Sequence, residues 1–293
     1  MSPPSPSLAV VVLSLRNQAG LGAAVRSLLG QGEPLELVVV DSGGGGGAAA
    51  LAAAGVPVPV IEHREVLLPG AARNAGIAAT SAPWVAFLAA DCRAEPGWAA
   101  ARRAAHAAGH AAVASAVVNP YRRNLCAWAM QASLFAARMP GTPPEHRLLY
   151  GASYRRDLFD RCGLFREDLE GGEDSDFHQR LGHRGIAIAW EPRVRTAHDH
   201  PRSLGALLAD HHRRGRRTAA SLERLSHARA PWVARRVLVR VRHTLPLAWR
   251  SAAPGERRWI AAAAPLVVLA AAAYAAGALS APRPAAASAE ATR

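Results

Sequence analysis

The stretch Val85-Ala-Phe-Leu-Ala-Ala-Asp91-Cys-Arg-Ala-Glu-Pro-Gly-Trp98 decides the fold. Its first residues form a continuous apolar run, which predicts a buried strand. Asp91 follows this run directly, and Pro-Gly-Trp then predicts the start of a helix. A carboxylate at the end of a buried strand, just before a helix, is typical of α/β domains, in which polar ligands bind at the carboxyl ends of the strands.

Strand-like and helix-like segments alternate on both sides of this stretch. The predicted strands cover 9–13, 35–40, 56–61, 84–88 and 112–118, and the predicted helices cover 20–29, 48–54, 69–79 and 97–108. This alternation predicts an α/β domain with a largely parallel sheet. Candidate ligand-binding groups follow three of the strands: Ser14, Arg16 and Asn17 after the first, Asp41 after the second, and Asp91 after the fourth.

A run of five glycines, 43–47, follows the second predicted strand. It is not a P-loop, because the Gly-Lys-Ser/Thr that would follow is missing and the chain contains no lysine. A dinucleotide fingerprint would have spaced glycines and would follow the first strand. We therefore interpret the run as a flexible loop lengthened by compositional drift.

Four motifs, in this order, resemble those of the family 2 glycosyltransferases. They are Asp41-Ser-Gly43, Arg73-Asn-Ala-Gly76, Ala89-Ala-Asp91 at a strand end, and Gly172-Glu-Asp-Ser-Asp-Phe177 at a helix start. The resemblance also includes the segment 151–159, before the acceptor region. The resemblance implies a GT-A fold, in which a Rossmann-like, mostly parallel sheet flanked by helices binds the nucleotide. It also implies an enzyme that transfers a sugar from a nucleotide-sugar donor with inversion.

The resemblance assigns the donor side of the site. It gives Asp41, Arg73, Asn74 and Asp91 as donor-binding residues, and the position of Ser14, Arg16 and Asn17 after the first strand adds these three to the predicted set. A divalent cation, Mg²⁺ or Mn²⁺, would bind Asp91 and would neutralise the diphosphate leaving group. His198 is a second candidate metal ligand, although His198-Asp-His200 could equally form a surface turn before Pro201.

The resemblance also assigns the acceptor side. Asp174, with Glu173 as its neighbour in the motif, would be the general base that removes the proton from the acceptor hydroxyl. Asp176 and Tyr154 would lie near the acceptor. A simpler interpretation of Glu173 and Asp174 is that acids in the first turn of a helix stabilise the helix dipole.

The chain departs from the family pattern at Ala89, where the first aspartate of the strand-end motif is expected. We expect weakened or altered use of the metal, because one carboxylate fewer lies near it. Without the other motifs, Asp91 would be interpreted as a helix N-cap. The alternative function is therefore a catalytically inactive relative that binds a nucleotide sugar or acts as a scaffold.

Charge and hydropathy indicate a membrane as a partner rather than a nucleic acid. The formal net charge is +13, and all 35 basic residues are arginine. The stretch 193–258 contains 16 arginines and four acidic residues, so the rest of the chain is nearly neutral. Because the charge clusters beside an apolar tail, an anionic membrane explains it better. Three widely spaced cysteines favour a reducing compartment, with no disulfide framework or zinc site.

The C-terminal region predicts a membrane anchor. Residues 259–279 carry no charge and are long enough to span a bilayer, and 231–250 interleaves apolar residues with arginine. We predict a catalytic domain at 1–220, a basic amphipathic interface segment at 221–258, a transmembrane helix at 259–281 and a disordered tail at 282–293.

The arginines before the predicted span place the large domain on the cytoplasmic face of the membrane, with a single-pass C-terminal anchor. An interfacial or protein-packed helix is the alternative to a spanning one. The stretch 211–217, with His211 and His212, is interpreted as a solvated or lipid-facing basic face. The acceptor would be lipid-linked or a cell-envelope polysaccharide, with 119–144 as the segment that faces it.

Overall fold

The computed structural model describes residues 7–16, 18–224 and 229–280. Within them, the strands are β1 (Leu8–Leu15), β2 (Leu35–Ser42), β3 (Val60–His63), β4 (Trp84–Ala89), β5 (Cys92–Ala94), β6 (Ala112–Val118), β7 (Ser153–Arg155) and β8 (Ile188–His198). The α-helices are α1 (Gln18–Leu29), α2 (Gly47–Ala53), α3 (Pro69–Ala78), α4 (Trp98–Ala107), α5 (Leu125–Leu134), α6 (Asp157–Cys162), α7 (Glu173–Gly182), α8 (Leu204–Arg224), α9 (Arg229–Ser251) and α10 (Arg257–Ser280).

These elements fall into two compact units. The sheet unit lies within 1–118 and 148–199, and the helical unit lies within 119–147 and 200–293. All eight strands belong to the sheet unit, whereas α5, α8, α9 and α10 belong to the helical unit. The functional boundaries predicted from the sequence stay a prediction, and the predicted tail at 282–293 lies outside the described residues.

One mixed sheet carries the sheet unit, with strand order β3-β2-β1-β4-β7-β6-β8-β5. The first four strands in that order are parallel, and β6 is parallel to β8. Strand β7 pairs antiparallel with β4 and β6, and β5 pairs antiparallel with β8. Parallel pairing brings the carboxyl ends of β1, β2 and β4 to one edge of the sheet, where the motifs of Asp41 and Asp91 and the candidate groups Ser14 and Arg16 lie.

Both faces of the sheet are buried, which explains why its strands are continuous apolar runs. In β1, Val10 and Val12 pack with α1, α2 and α4, whereas Val11 packs with α3, α6 and α7 on the opposite face. The predicted strand at 56–61 is shorter in the structure, where β3 begins at Val60. Pro57 and Pro59 lack the N–H that a strand interior needs, which accounts for the difference.

The helical unit packs α10 against α5, α8 and α9. Helix α8 approaches α10 closely: a Cβ added at Gly215 would lie 2.1 Å from the Tyr274 carbonyl oxygen. Helix α10 is long and apolar enough to cross a membrane, with a mean hydropathy of 2.0 over its most apolar window, of which 39% is buried by other helices. Length and composition are weak support for an anchor, and the buried share fits a protein-packed helix as well.

Candidate active site

Two buried polar groups lie side by side at the carboxyl ends of β1 and β2. The strand register pairs Ser14 with Asp41, and both side chains are buried. One Asp41 oxygen accepts a hydrogen bond from the Gly47 N–H at 3.0 Å. Among the described residues, Ser14 Oγ and the other Asp41 oxygen, Oδ1, have no hydrogen-bond partner. Because unpaired buried polar atoms are costly, these two atoms suit a polar ligand.

The glycine run that separates β2 from α2 is required by its geometry. Residues 43–46 all have positive φ, a conformation that other residues rarely adopt. Glu62 accepts hydrogen bonds from the N–H groups of Gly46 and Ala48 at 3.1 and 2.9 Å. Arg16, itself at φ 52°, donates from Nε to the Gly43 carbonyl at 3.0 Å. Compositional drift is therefore not needed to explain the run.

Asn17, the third predicted donor-binding residue after β1, lies outside the described residues.

Asp91 lies in the turn between β4 and β5, next to His198. The antiparallel pairing of Cys92 with His198 brings His198 Nε2 to 3.7 Å from the Asp91 carboxylate. The Asp91 carbonyl also accepts the Asp199 N–H at 2.7 Å, which fixes this turn against the end of β8. The N-cap of α4 is Gly97, so the alternative interpretation of Asp91 as a helix cap is wrong.

The residues beside Asp91 fit a divalent cation. The ligand atoms of Asp91, Cys92 and His198 lie within 4.8 Å of one another, and the Asp91 side chain is 47% exposed. Burial raises the pKa of the Cys92 thiol, with a further contribution from the Asp91 charge. The cluster offers a carboxylate oxygen, an imidazole nitrogen and a sulfur atom to a divalent cation. No arginine among the described residues forms an ion pair with Asp91.

Ala89 is exposed at the end of β4, opposite Leu13 of β1, and adds no ligand. The other histidine of the motif lies elsewhere: His200 is buried in the helical unit, where its Nε2 is 2.7 Å from Gln131 Oε1. The motif therefore divides between the two units, and of its two histidines His198 is the one that adjoins Asp91. His211 is also buried, 3.0 Å from Ser133 Oγ, so its interpretation as part of a solvated basic face is wrong.

Arg73 and Glu173 form an ion pair between α3 and α7. Both Nε and Nη2 of Arg73 donate to Glu173 Oε1, at 3.0 and 2.9 Å. The pair is largely buried, with side-chain exposures of 18% for Arg73 and 7% for Glu173. The Arg73 guanidinium also lies over the Phe87 ring at 4.8 Å and the Phe165 ring at 5.4 Å. These contacts fix the first turn of α7.

Asp174 differs from its neighbours in the same turn. It is half-buried, and its carboxylate accepts one hydrogen bond, from the Ser175 N–H at 2.8 Å. The described residues provide no ion pair for it. Asp176, in contrast, pairs with Arg180 at 2.8 Å, and Arg180 also donates to the Leu164 carbonyl. Asp174 is therefore the carboxylate of this turn that is not engaged by a cation.

Tyr154 does not face an acceptor, because it is a core residue. Its side chain is buried among aromatic rings, and its hydroxyl lies 2.7 Å from His178 Nε2. Burial raises the pKa of the Tyr154 hydroxyl. Burial also lowers the pKa of His178 to about 4, with a smaller contribution from the Arg73 charge. Tyr154 therefore packs in the core and does not lie next to an acceptor, which corrects the prediction.

Asn74 is also fully engaged within the protein. Its Nδ2 donates to the Phe165 carbonyl at 2.9 Å and to Glu167 Oε1 at 2.8 Å, and its Oδ1 accepts the Phe165 N–H at 3.1 Å. The amide has no N–H left for a donor sugar, so Asn74 positions the segment 165–167 instead. Gly76 of the same motif lets α3 approach β1, because an added Cβ would lie 2.2 Å from Val11 Cγ1.

Sequence reasoning did not identify Cys92, Phe87 or Phe165 as parts of this region. Cys92 is next to Asp91 in the chain, so the strand-end motif could have drawn attention to it. Phe87 precedes Asp91 on β4, but its contact with Arg73 depends on how α3 packs on the sheet. No local pattern indicates that contact.

The mixed sheet, the acids at the ends of β2 and β4 and the acidic first turn of α7 agree with the GT-A fold that the sequence motifs predict. Residues 9–167, more than half of the chain, match Glycosyl transferase family 2. The chain belongs to that family, which confirms the predicted fold class and the predicted class of enzyme.

Relatives and solved structures are consistent with this assignment. The pre-mycofactocin glycosyltransferase of Mycobacterium tuberculosis, found in two strains, is 31% identical over 224 residues. The alignment covers 69% of this chain and 45% of the relative, so this chain spans less than half of the relative's length. The mannosyltransferase PcManGT of Pyrobaculum calidifontis shares the fold, with a TM-score of 0.57 at 19% identity over 94% of this chain and 87% of that one.

Proposed function

We propose that this protein transfers a sugar from a nucleotide-sugar donor to an acceptor hydroxyl, with inversion at the sugar carbon. The observation that carries the proposal is the pairing of β5 with β8, which brings His198 to the Asp91 carboxylate at the edge where β1, β2 and β4 end. A carboxylate and an imidazole at this edge could hold a cation for a diphosphate-bearing ligand, and the buried Ser14 and Asp41 side chains lie at the ends of the neighbouring strands β1 and β2.

The donor nucleoside is recognised at Ser14 and Asp41. An ionised carboxylate only accepts hydrogen bonds, so Asp41 Oδ1 would take an N–H of the base or a ribose hydroxyl. Ser14 Oγ can donate or accept beside it. The partnerless state of both atoms supports this assignment.

Asp91 and His198 would hold Mg²⁺ or Mn²⁺. Such a cation supplies charge neutralisation for the diphosphate as it leaves. Asp91 is exposed and has no arginine partner among the described residues, so its charge is available to a ligand. Mn²⁺ is the first ion to test, since the structure of PcManGT is a complex with GDP-Man and Mn²⁺.

Asp174 removes the proton from the acceptor hydroxyl. A general base needs a carboxylate that can reach a ligand and that is not neutralised by a neighbouring cation. Asp174 meets both conditions, whereas the carboxylate of Glu173 is neutralised by Arg73. Glu173 therefore acts on the reaction through the position of α7.

The acceptor is lipid-linked or a cell-envelope polysaccharide, and the reaction takes place at the cytoplasmic face of the membrane. Helix α10 supports a membrane location by its length and composition. The relative from Mycobacterium tuberculosis is named for pre-mycofactocin, so that compound is a second acceptor class to assay.

A donor-hydrolysis and transfer assay tests the proposal. Nucleotide sugars are screened with added Mn²⁺, with Mg²⁺ and with a chelator, and we expect turnover that the chelator removes. Asp174→Asn should lower transfer by about 10²- to 10⁴-fold while nucleotide binding is kept. Asp168→Asn is the matched control, because Asp168 is an exposed acid paired with Arg166.

Normal turnover by Asp174→Asn would overturn the assignment of the base. The alternative function, nucleotide-sugar binding without transfer, is favoured by Ala89, which leaves the site one carboxylate short. Tight nucleotide binding with no hydrolysis of any donor, with or without a cation, would establish that alternative instead.

A further inference from the structure

Helix α9 presents an exposed face in which arginines alternate with large apolar side chains. The face consists of Arg235, Leu238, Val239, Arg242, His243, Trp249 and Arg250, which recur at spacings of three, four and seven residues along one side of the helix. Leu238 is 62% exposed and Trp249 43%. The opposite side is buried, at Val233 and Ala248. We refer to this set as the α9 face.

The chemistry of the α9 face matches an anionic lipid surface. No aspartate or glutamate occurs between Arg229 and Ser251, so nothing on the helix neutralises its arginines. Arginine binds phosphate through a planar fork of N–H donors, and an exposed tryptophan sits well at the level of lipid headgroups. A second copy of the same face would be repelled by its charge.

Helix α10 has an exposed side that carries no charge from Trp259 to Ser280, including Val268 and Leu269. Its other side is buried, at residues such as Val267 and Tyr274. Helix α10 therefore meets the requirement of an apolar surface, but on one side only, as in a helix that lies at an interface.

The contact between α8 and α10 argues against a crossing. A Cβ at Gly215 would meet the Tyr274 carbonyl, and a Cβ at Gly277 would meet the His212 carbonyl, both at 2.1 Å. These contacts place 212–215 of α8 antiparallel to 274–277 of α10. The same stretch of α8 is followed by Arg216 and Arg217 and contains two further arginines. A crossing by α10 would carry this cationic stretch with it, and arginine inside a bilayer is strongly disfavoured.

We infer that the helical unit docks on the surface of an anionic membrane through the α9 face, and that α10 stays on the same side of the bilayer. This replaces the single-pass anchor with an interfacial attachment. The inference does not depend on the donor chemistry, because it uses only residues of the helical unit.

Vesicle binding by the full chain tests the docking surface. Flotation is measured with phosphatidylcholine vesicles, with and without phosphatidylglycerol. The triple variant Arg235→Gln, Arg242→Gln and Arg250→Gln should bind the anionic vesicles with about 100-fold lower affinity. The loss of each arginine lowers the affinity by about fivefold, and the three factors multiply. The control triple Arg64→Gln, Arg161→Gln and Arg184→Gln removes the same charge from exposed positions of the sheet unit and should bind as the natural protein does.

An apolar variant separates lipid insertion from charge. Leu238→Ser with Trp249→Ser should weaken binding at both low and high salt, because burial of apolar area is not screened by salt. The assignment of the α9 face would be overturned if both arginine triple variants lost the same affinity for anionic vesicles. It would also be overturned if the natural protein bound neutral and anionic vesicles equally well. A third contrary result would be that the triple variant of Arg235, Arg242 and Arg250 loses binding to duplex DNA but keeps its binding to vesicles.

Whether α10 crosses the bilayer is tested by the side of the membrane on which a tag after Arg293 lies. A tag placed after Arg293 is exposed to protease in sealed membrane vesicles whose cytoplasmic face is outward. An interfacial α10 leaves the tag open to digestion, and alkaline carbonate releases the protein. A protected tag on carbonate-resistant protein would show a crossing and overturn this part of the inference. Donor hydrolysis by the same sample shows separately whether the proposed function holds.

Discussion

Removal of one partner of the Arg73–Glu173 pair should destabilise the protein far more than removal of an exposed pair. The perturbation is Glu173→Gln, which keeps the size of the side chain and removes its charge. Arg73 then remains largely buried between Phe87 and Phe165 without a carboxylate. Only 7% of the Glu173 side chain is exposed, so water cannot take over the role of the lost charge.

The expected cost follows from this burial. Breaking a buried ion pair by removing one partner costs about 3 to 5 kcal/mol. We expect the lower end, about 3 kcal/mol, because the glutamine amide oxygen still accepts from Arg73 and because 18% of the Arg73 side chain reaches solvent. The control is Asp157→Asn, whose pair with Arg155 is about half exposed and should cost under about 1 kcal/mol.

Urea unfolding followed by circular dichroism measures the free energy of unfolding for each variant. Arg73→Met is expected to cost as much as Glu173→Gln, and the double variant should cost less than the sum by about 2 kcal/mol, since neither charge is left alone. Additive losses, or a cost for Glu173→Gln no larger than that for Asp157→Asn, would refute the view that the pair fixes the first turn of α7.

Three further results are expected. His106 of α4 is buried, with its Nε2 2.8 Å from Ser153 Oγ, and burial lowers the pKa of both His106 and His178 to about 4. The free energy of unfolding should therefore fall between about pH 6.5 and pH 4, by about 2 to 3 kcal/mol for each histidine, because only the unfolded imidazoles take up protons in that range. His178→Gln should flatten this dependence, measured by urea unfolding at each pH. Gly76→Ala should lower the melting temperature, because its Cβ would lie 2.2 Å from Val11; an unchanged melting curve contradicts the close packing of α3 on β1. Ala89→Asp should lower the Mn²⁺ concentration needed for half-maximal hydrolysis; no change would show that this position does not face the cation.

Local pattern predicted the sheet edge well. Strands β1, β2, β4 and β6 are buried on both faces, so a continuous run of apolar residues marks the length of each one. The motif acids Asp41 and Asp91 fall at strand ends for the same reason. The prediction of a strand at 56–61 was wrong before β3, where proline removes hydrogen bonds between strands. A pattern of hydrophobic residues does not show that a backbone N–H is missing.

The roles of individual side chains depended on contacts distant in sequence. Tyr154 precedes an amphipathic helix and is polar at its tip, but the pairing of β7 with β4 turns it into the core. Asn74 lies in a family motif, and only the position of Phe165, 91 residues later, shows that its amide is engaged. The His198 contact likewise depends on β5 pairing with β8. No window of the sequence contains these pairs.

The missing carboxylate at Ala89 changes the proposed cation site in a definite direction. One aspartate and one neutral imidazole leave a divalent ion with a residual charge of about +1, whereas a second aspartate would bring the sum close to zero. A smaller ligand charge weakens the hold on the free ion, but it leaves more positive charge for the diphosphate, which then contributes much of the binding itself. Cation and nucleotide should therefore bind cooperatively, with Mn²⁺ affinity raised by the nucleoside diphosphate. If titration calorimetry shows equal Mn²⁺ affinity with and without the nucleotide, Asp91 and His198 do not share their ion with the donor.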